Sequence, residues 1–249
     1  VASEVAELSQ AAARLQESVY TRHLRSRLAL RNYVRIANDI VAQQPLGRVL
    51  DWGAGFGQIS FLLRRRGLAV TAYDYRPQEV RGMRVTTTAL DSKVPLVLSD
   101  DPIRLPFQDS SFDGVISCGV LEHVDNEPAT LQELWRVLKP NGTFLIYQLP
   151  QEWGYLEWIV RRFRLGYSHD RRYTTRGIRR LLGAYGFQVK RVAYANMLPK
   201  TFTGLPSRVR TAFDLFPNTL LALDTGLSRV PGLNRVAGVL EVTARKVIS

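Results

Sequence analysis

Val49-Leu50-Asp51-Trp52-Gly53-Ala54-Gly55-Phe56-Gly57 is the stretch from which the fold is read. Arg48–Asp51 is a short apolar strand. Three glycines follow at alternate positions, and Gln58–Arg66 then carries a helical pattern closed by Gly67. Glycine adopts positive φ without steric cost and lets a ligand approach the backbone closely. A glycine turn between a strand and a helix therefore predicts a binding loop at a strand's C-terminal end. The G-x-G-x-G spacing differs from the G-x-G-x-x-G of dinucleotide binders. It also lacks the Gly-Lys-Ser/Thr of a phosphate-cradling P-loop.

Outward from this loop the pattern alternates. Ala69–Tyr73 reads as a second strand, and Asp74 stands at its end, 17 residues after Gly57. In a doubly wound sheet that position faces the same crevice as the glycine loop, where a carboxylate can accept hydrogen bonds from both hydroxyls of a ribose. Pro77–Thr87 reads as a helix with proline in its first turn. Pro95–Leu98, Phe112–Ser117 and Thr143–Leu149 read as strands, with a helix over Pro128–Leu138 stopped by Pro140 and Gly142. Thr174–Tyr185 is a helix closed by Gly186, Phe187–Tyr194 a strand and Val239–Val247 a last strand. Strands alternating with helices imply crossover units and a parallel sheet. The expected fold class is α/β: a doubly wound, mostly parallel seven-stranded sheet.

Residues 1–43 read as an N-terminal helical cap, 44–195 as the core, 196–236 as a lid inserted before the last strand, and 237–249 as that strand. The 249 residues suit one domain with additions. The one cysteine, Cys118, excludes a disulfide framework and a cysteine-based zinc site and fits a cytoplasmic setting. No stretch approaches the roughly 20 apolar residues of a membrane span. The opening residues lack the basic start of a secretory signal. The net charge is +12, and only five of the 34 basic residues are lysine. Such a surface attracts nucleic acid, an anionic membrane or an acidic substrate, although the arginines are spread along the chain and not gathered in blocks.

Four ordered segments carry a family resemblance: VLDWGAGFG (49–57), VTAYDY (70–75), SDDPIRLPFQDSSFDGVISCGVLEHV (99–124) and LWRVLKPNGTFLIYQLP (134–150). Over about residues 45–195 the chain resembles the class I S-adenosylmethionine (SAM)-dependent methyltransferases, and within them the family that includes the ubiquinone and menaquinone biosynthesis methyltransferases. The resemblance implies a Rossmann-like methyltransferase fold, SAM as cofactor and S-adenosylhomocysteine as product. It assigns Gly53, Gly55 and Gly57 to the loop around the methionyl part, Asp51 to ordering that loop near the amino group, and Asp74, followed by Tyr75, to the ribose. Asp101 is then expected at the adenine amino group. The next position usually offers a backbone N–H to adenine but is here Pro102, which has none, so recognition is expected to shift to Ile103 or Asp100. Cys118 and Gly119 would present carbonyls to the methionine ammonium.

Methyl transfer needs an acceptor in line with the carbon–sulfur bond and, for a hydroxyl, a base. No metal is expected. His123, in Leu121-Glu122-His123-Val124, and His169, in Tyr167-Ser168-His169-Asp170-Arg171-Arg172, are the candidate catalytic residues. His23, in an arginine-rich helical stretch, is expected to be exposed, with Tyr20 as a cover for the cofactor. Acceptor choice falls to residues 1–43, 151–173 and 196–236, where aromatic and apolar side chains mix with arginines. That mixture suits a small-molecule or lipid-linked acceptor, methylated on a hydroxyl oxygen, and peripheral contact with an anionic membrane surface. A nucleic-acid methyltransferase is the alternative suggested by charge. Against it, Ser117-Cys118-Gly119-Val120 stands where amino-directed DNA enzymes carry Asn/Asp-Pro-Pro-Tyr/Phe, and no nucleic acid is expected as partner. A SAM-binding protein without catalysis is the other alternative.

Overall fold

The protein is described here from a computed structural model over residues 2–13, 23–43, 47–75, 93–164, 168–200 and 214–247. The strands are β1 (Arg48–Trp52), β2 (Ala69–Tyr75), β3 (Leu96–Ser99), β4 (Phe112–Cys118), β5 (Leu138–Pro150), β6 (Phe187–Ala195) and β7 (Val239–Lys246). They form one seven-stranded sheet in the order β3-β2-β1-β4-β5-β7-β6. The first five are parallel to their neighbours, and β7 runs antiparallel between β5 and β6. The strand order reverses between β1 and β4, which opens a crevice at their C-terminal ends.

Successive side chains on a strand point to opposite faces, and the core divides accordingly. Leu50, Val115, Phe144 and Ile146 pack on one face against α4 (Glu127–Val137) and α6 (Thr175–Ala184), through Leu131, Leu134, Ile178 and Leu182. Val49, Ile116, Leu145 and Tyr147 pack on the other against α1 (Ala2–Ala13), α2 (Arg27–Ala42) and α3 (Gln58–Arg65). A strand buried on both faces has no polar side, which is why the central strands read as apolar runs.

Among the described residues the expected N-terminal helical cap carries two helices, α1 and α2. A turn at 23–25 precedes α2, and the Ser26 hydroxyl caps α2 by accepting from Ala29 N–H at 3.3 Å. β5 begins at Leu138 and not at Thr143, with an irregularity in its pairing between Phe112 and Gly114. The helix expected over Pro77–Thr87 lies outside the described residues. No helix among the described residues is long and apolar enough to cross a membrane.

Two further helices belong to the segments expected to choose the acceptor. α5 (Tyr155–Phe163) follows β5, and α7 (Pro217–Leu227) lies in the connection between β6 and β7. α7 is tied down by buried Asp224, which accepts from Leu198 N–H at 2.6 Å and pairs with Lys200 Nζ at 2.6 Å. Ser26 Oγ in turn donates to the Lys200 carbonyl at 2.7 Å, so this connection rests on the start of α2. The α2 face below is fixed by a bidentate pair between Arg35 and buried Glu241 of β7.

Candidate active site

The glycine turn takes the conformation its spacing implies. Gly53, Gly55 and Gly57 have φ of 71°, 56° and 74°, the left-handed region that suits glycine. The N–H groups of Gly53 and Ala54 both donate to the Tyr73 carbonyl at 2.9 Å, which folds the loop over the end of β2. Gly57 caps α3. The loop's two outer contacts differ. A Cβ on Gly53 would stand 2.4 Å from Val120 Cγ2, whereas a Cβ on Gly55 would meet nothing within 4 Å. Gly53 is thus required by packing, and Gly55 faces open space over the crevice.

Two carboxylates hold this loop. Asp51, 2 % exposed, accepts from the Ser60 N–H at 3.0 Å and the Ser60 hydroxyl at 2.6 Å. Burial pushes its pKa up to about 6, against the pull of those hydrogen bonds. Asp74 Oδ2 accepts from Gly55 N–H at 2.8 Å, and its Oδ1 from Tyr75 N–H at 2.8 Å. Each oxygen keeps a further lone pair. Burial raises Asp74 above the ordinary carboxylate value. Tyr75 itself is exposed at the crevice edge.

The loop after β3 is ordered by one of its own carboxylates. Asp101 Oδ1 accepts from the N–H groups of Ile103 at 2.9 Å and Arg104 at 2.8 Å. The Arg104 and Ile103 donors hold this carboxylate below its ordinary range. The Ile103 N–H, expected to replace the one missing from Pro102, therefore already has an acceptor in Asp101.

At the end of β4, Gly119 has φ of 71° and its N–H donates to Tyr147 O at 3.0 Å. Burial pushes the Cys118 thiol well above its ordinary pKa, so it is held as a thiol. The next turn, Leu121–His123, buries Glu122, whose pKa burial raises to about 7. Its Oε2 has no hydrogen-bond partner among the described residues.

His123 and His169, expected as catalytic, are brought together from distant parts of the chain. Their ring centroids lie 5.6 Å apart. Burial, then the charges of His169 and Arg171, lower the His123 pKa. Glu122, His123 and His169 each offer a ligand atom within 4.8 Å of the others, a set that could hold a metal ion; the sequence had raised no such expectation. Around this cluster, Glu157 had no signal in the sequence, whereas Arg171 stands two residues after His169 in the quoted segment. Glu157 on α5 accepts from His169 N–H at 2.5 Å and lies 3.4 Å from His169 Nδ1. Burial opposes its ionisation, yet the His169 contacts bring it below the ordinary value. Arg171 donates to Val124 O at 2.6 Å. At the ends of β5 and β6, Gln148 and Asn196 have φ of 59° and 62°, and Asn196 Nδ2 donates to Gln148 Oε1 at 2.7 Å. Non-glycine residues held at such φ cost on the order of 1–3 kcal/mol and cluster at functional sites.

His23 is half-buried and not exposed. Its ring lies 5.9 Å from Tyr33 and 6.1 Å from Phe56 of the glycine loop, so the N-terminal segment does reach this loop. Tyr20 lies outside the described residues.

With this geometry in hand, known proteins give a consistent comparison. Residues 50–146 match the family model described as a methyltransferase domain. It is 34% identical over 119 residues to the demethylmenaquinone methyltransferase of Thermus thermophilus, covering 47% of this chain and 53% of that protein. It is 34% identical over 121 residues to the ubiquinone biosynthesis O-methyltransferase of Xanthomonas campestris, covering 47% and 50%. The chain spans about half the length of these curated relatives. A SAM-dependent methyltransferase structure from Thermotoga maritima superposes with a TM-score of 0.58 at 16% identity, covering 87% of this chain and 89% of that one. That likeness shows the fold, a Rossmann-like methyltransferase sheet.

Proposed function

We propose that this chain is a SAM-dependent methyltransferase acting on a hydroxyl oxygen of a small-molecule or lipid-linked acceptor, with His169 as the base. The observation that carries the reading is the closed ring of Gly55, Asp74 and β2. A left-handed glycine with open space at its Cβ position is hydrogen-bonded to the strand-end carboxylate. That arrangement leaves a cradle for the methionyl part and carboxylate lone pairs for the ribose. When bound, SAM supplies a methyl group already activated on a sulfonium.

The chain's residues have three tasks. Asp51 holds the first turn of α3 and with it the glycine loop. Cys118 and Gly119 present backbone carbonyls to the methionine ammonium, and Asp101 and Ile103 border the adenine side. The remaining task is to position the acceptor and take its proton. Glu157, close to Nδ1, fixes the His169 ring and favours the tautomer with its proton there, leaving Nε2 to accept. His123, beside it and with its pKa lowered by burial, is a second wall of the acceptor space. The quinone-pathway relatives support a prenylated or otherwise lipid-linked acceptor. Exposed Trp153 and Phe216, and exposed Phe163 beneath Arg162, support peripheral contact with an anionic membrane surface.

The test is isothermal titration with S-adenosylhomocysteine. The intact chain should bind in the micromolar range, and Asp74→Ala should lose at least tenfold. No binding to the intact chain would remove the cofactor site, and equal binding by Asp74→Ala would remove Asp74 from it.

A further inference from the structure

α5 carries side chains for which the core has no use. None of its residues is buried, Trp158 is 63 % exposed, and Arg161 and Arg162 are open to solvent. With Glu152, Glu157 and Arg172 these three line a cleft of about 370 Å3. That volume falls within the roughly 300–1,000 Å3 of small-molecule sites.

The charges in the cleft are of two kinds. Glu157 is engaged by His169. Arg172 Nη1 donates to the His169 carbonyl at 2.7 Å, and its Nη2 lies 3.8 Å from Glu152. Arg161 and Arg162, by contrast, form no ion pair among the described residues; Arg162 only lies over the Phe163 ring at 5.7 Å. Two adjacent guanidiniums beside carboxylates already engaged leave a local excess of positive charge. The fork of N–H donors on each matches the oxygens of a phosphate, and the indole beside them offers an apolar face.

The place of the cleft gives this excess a role. Glu157 both lines it and holds His169, so the cleft opens beside the proposed base. We propose that Arg161 and Arg162 bind a phosphate group carried by the acceptor, with Trp158 against the apolar part next to it, so that the acceptor's hydroxyl is delivered to His169. The delivery step rests on the methyltransferase reading; the anion site does not.

Phenyl phosphate is the probe, titrated calorimetrically into the full chain in phosphate-free buffer. The intact chain should bind it and not bind phenol. Arg161→Gln/Arg162→Gln should weaken binding at least tenfold with an unchanged thermal melt. Trp158→Ala should weaken it several-fold, and Asp74→Ala should bind like the parent. Phenyl phosphate binding by a chain that fails to bind S-adenosylhomocysteine would keep the cleft and sink the methyltransferase reading. Absence of saturable binding, or equal binding by the double variant, would overturn the proposal and leave the arginines as partners of the C-terminal end of α5 alone. Co-sedimentation with phosphatidylglycerol vesicles, set against phosphatidylcholine vesicles, separates two sources of the same chemistry. Retention lost in the double variant assigns a lipid headgroup. Phenyl phosphate binding without retention assigns a soluble phosphate ester.

Discussion

At the residue scale, two glycines of one loop should respond oppositely to the same change. Gly55→Ala places a methyl group in open space at φ of 56°. Its cost to folding is the left-handed backbone, about 1–2 kcal/mol, while the methyl group enters the space proposed for the cofactor. Gly53→Ala adds a clash with Val120 to the same backbone penalty, about 1–3 kcal/mol more. Denaturant unfolding beside S-adenosylhomocysteine titration should show Gly55→Ala losing affinity out of proportion to stability, and Gly53→Ala losing stability first. Unchanged affinity in Gly55→Ala would mean that Gly55 does not face a ligand. Glu122 gives a pH-dependent prediction. Its raised pKa means that the folded state holds a proton which the unfolded chain releases, so stability falls as pH rises from the ordinary value towards about 7. Asp51 adds to that slope up to about 6, and His123, lowered by burial, opposes it. Glu122→Gln should therefore gain on the parent by on the order of 2 kcal/mol at pH 8 relative to pH 5, and parallel urea curves at the two pH values would refute this. The glycine turn, Asp74 and the two histidines were legible in the sequence because each sits at a strand end or in a motif. Glu157 was not, because nothing local marks a carboxylate on one element as the partner of a histidine 12 residues away.

At the element scale, the strands and helices of the core were readable because glycines and prolines punctuate apolar runs whose length and composition match buried parallel strands. The antiparallel insertion of β7 between β5 and β6 was not, since alternation along a strand says nothing of its neighbours. Nor was the turn at 23–25 before α2, through which helical spacing runs on. α7 offers the clearest elemental test. It contributes only Pro217 and Asp224 as buried residues, so its attachment depends on the Asp224–Lys200 pair and the bond to Leu198 N–H. Burial lowers the Lys200 pKa against the pull of Asp224, the signature of a cation that needs its partner. Removing one partner of a buried pair costs about 3–5 kcal/mol. Asp224→Asn should accordingly release this helix, seen as faster proteolytic cleavage between β6 and β7 with the rest of the sheet intact. Unchanged cleavage would mean that α7 is held by its leucines instead.

At the scale of the whole molecule, the net charge of +12 works against compactness through self-repulsion. Raising sodium chloride from 20 to 300 mM shortens the screening distance from about 20 Å to about 6 Å. The melting temperature should rise by roughly 2–4 °C, equivalent to about 1 kcal/mol in a chain of this size; no rise would show that the opposite charges are already well interspersed. The sheet order carries a different consequence, for the birth of the protein on the ribosome. β6 touches the sheet only through β7, and β7 also covers the open side of β5. Translation delivers β6 about 50 residues before β7 is complete, an interval of roughly 3–10 s at 5–20 residues per second. Throughout that interval β5 and β6 expose unpaired backbone. This half of the sheet cannot close strand by strand in the order of synthesis: β5 and β6 wait on β7, and whatever shelters them meanwhile, chaperone or tunnel, is part of how they reach the native state.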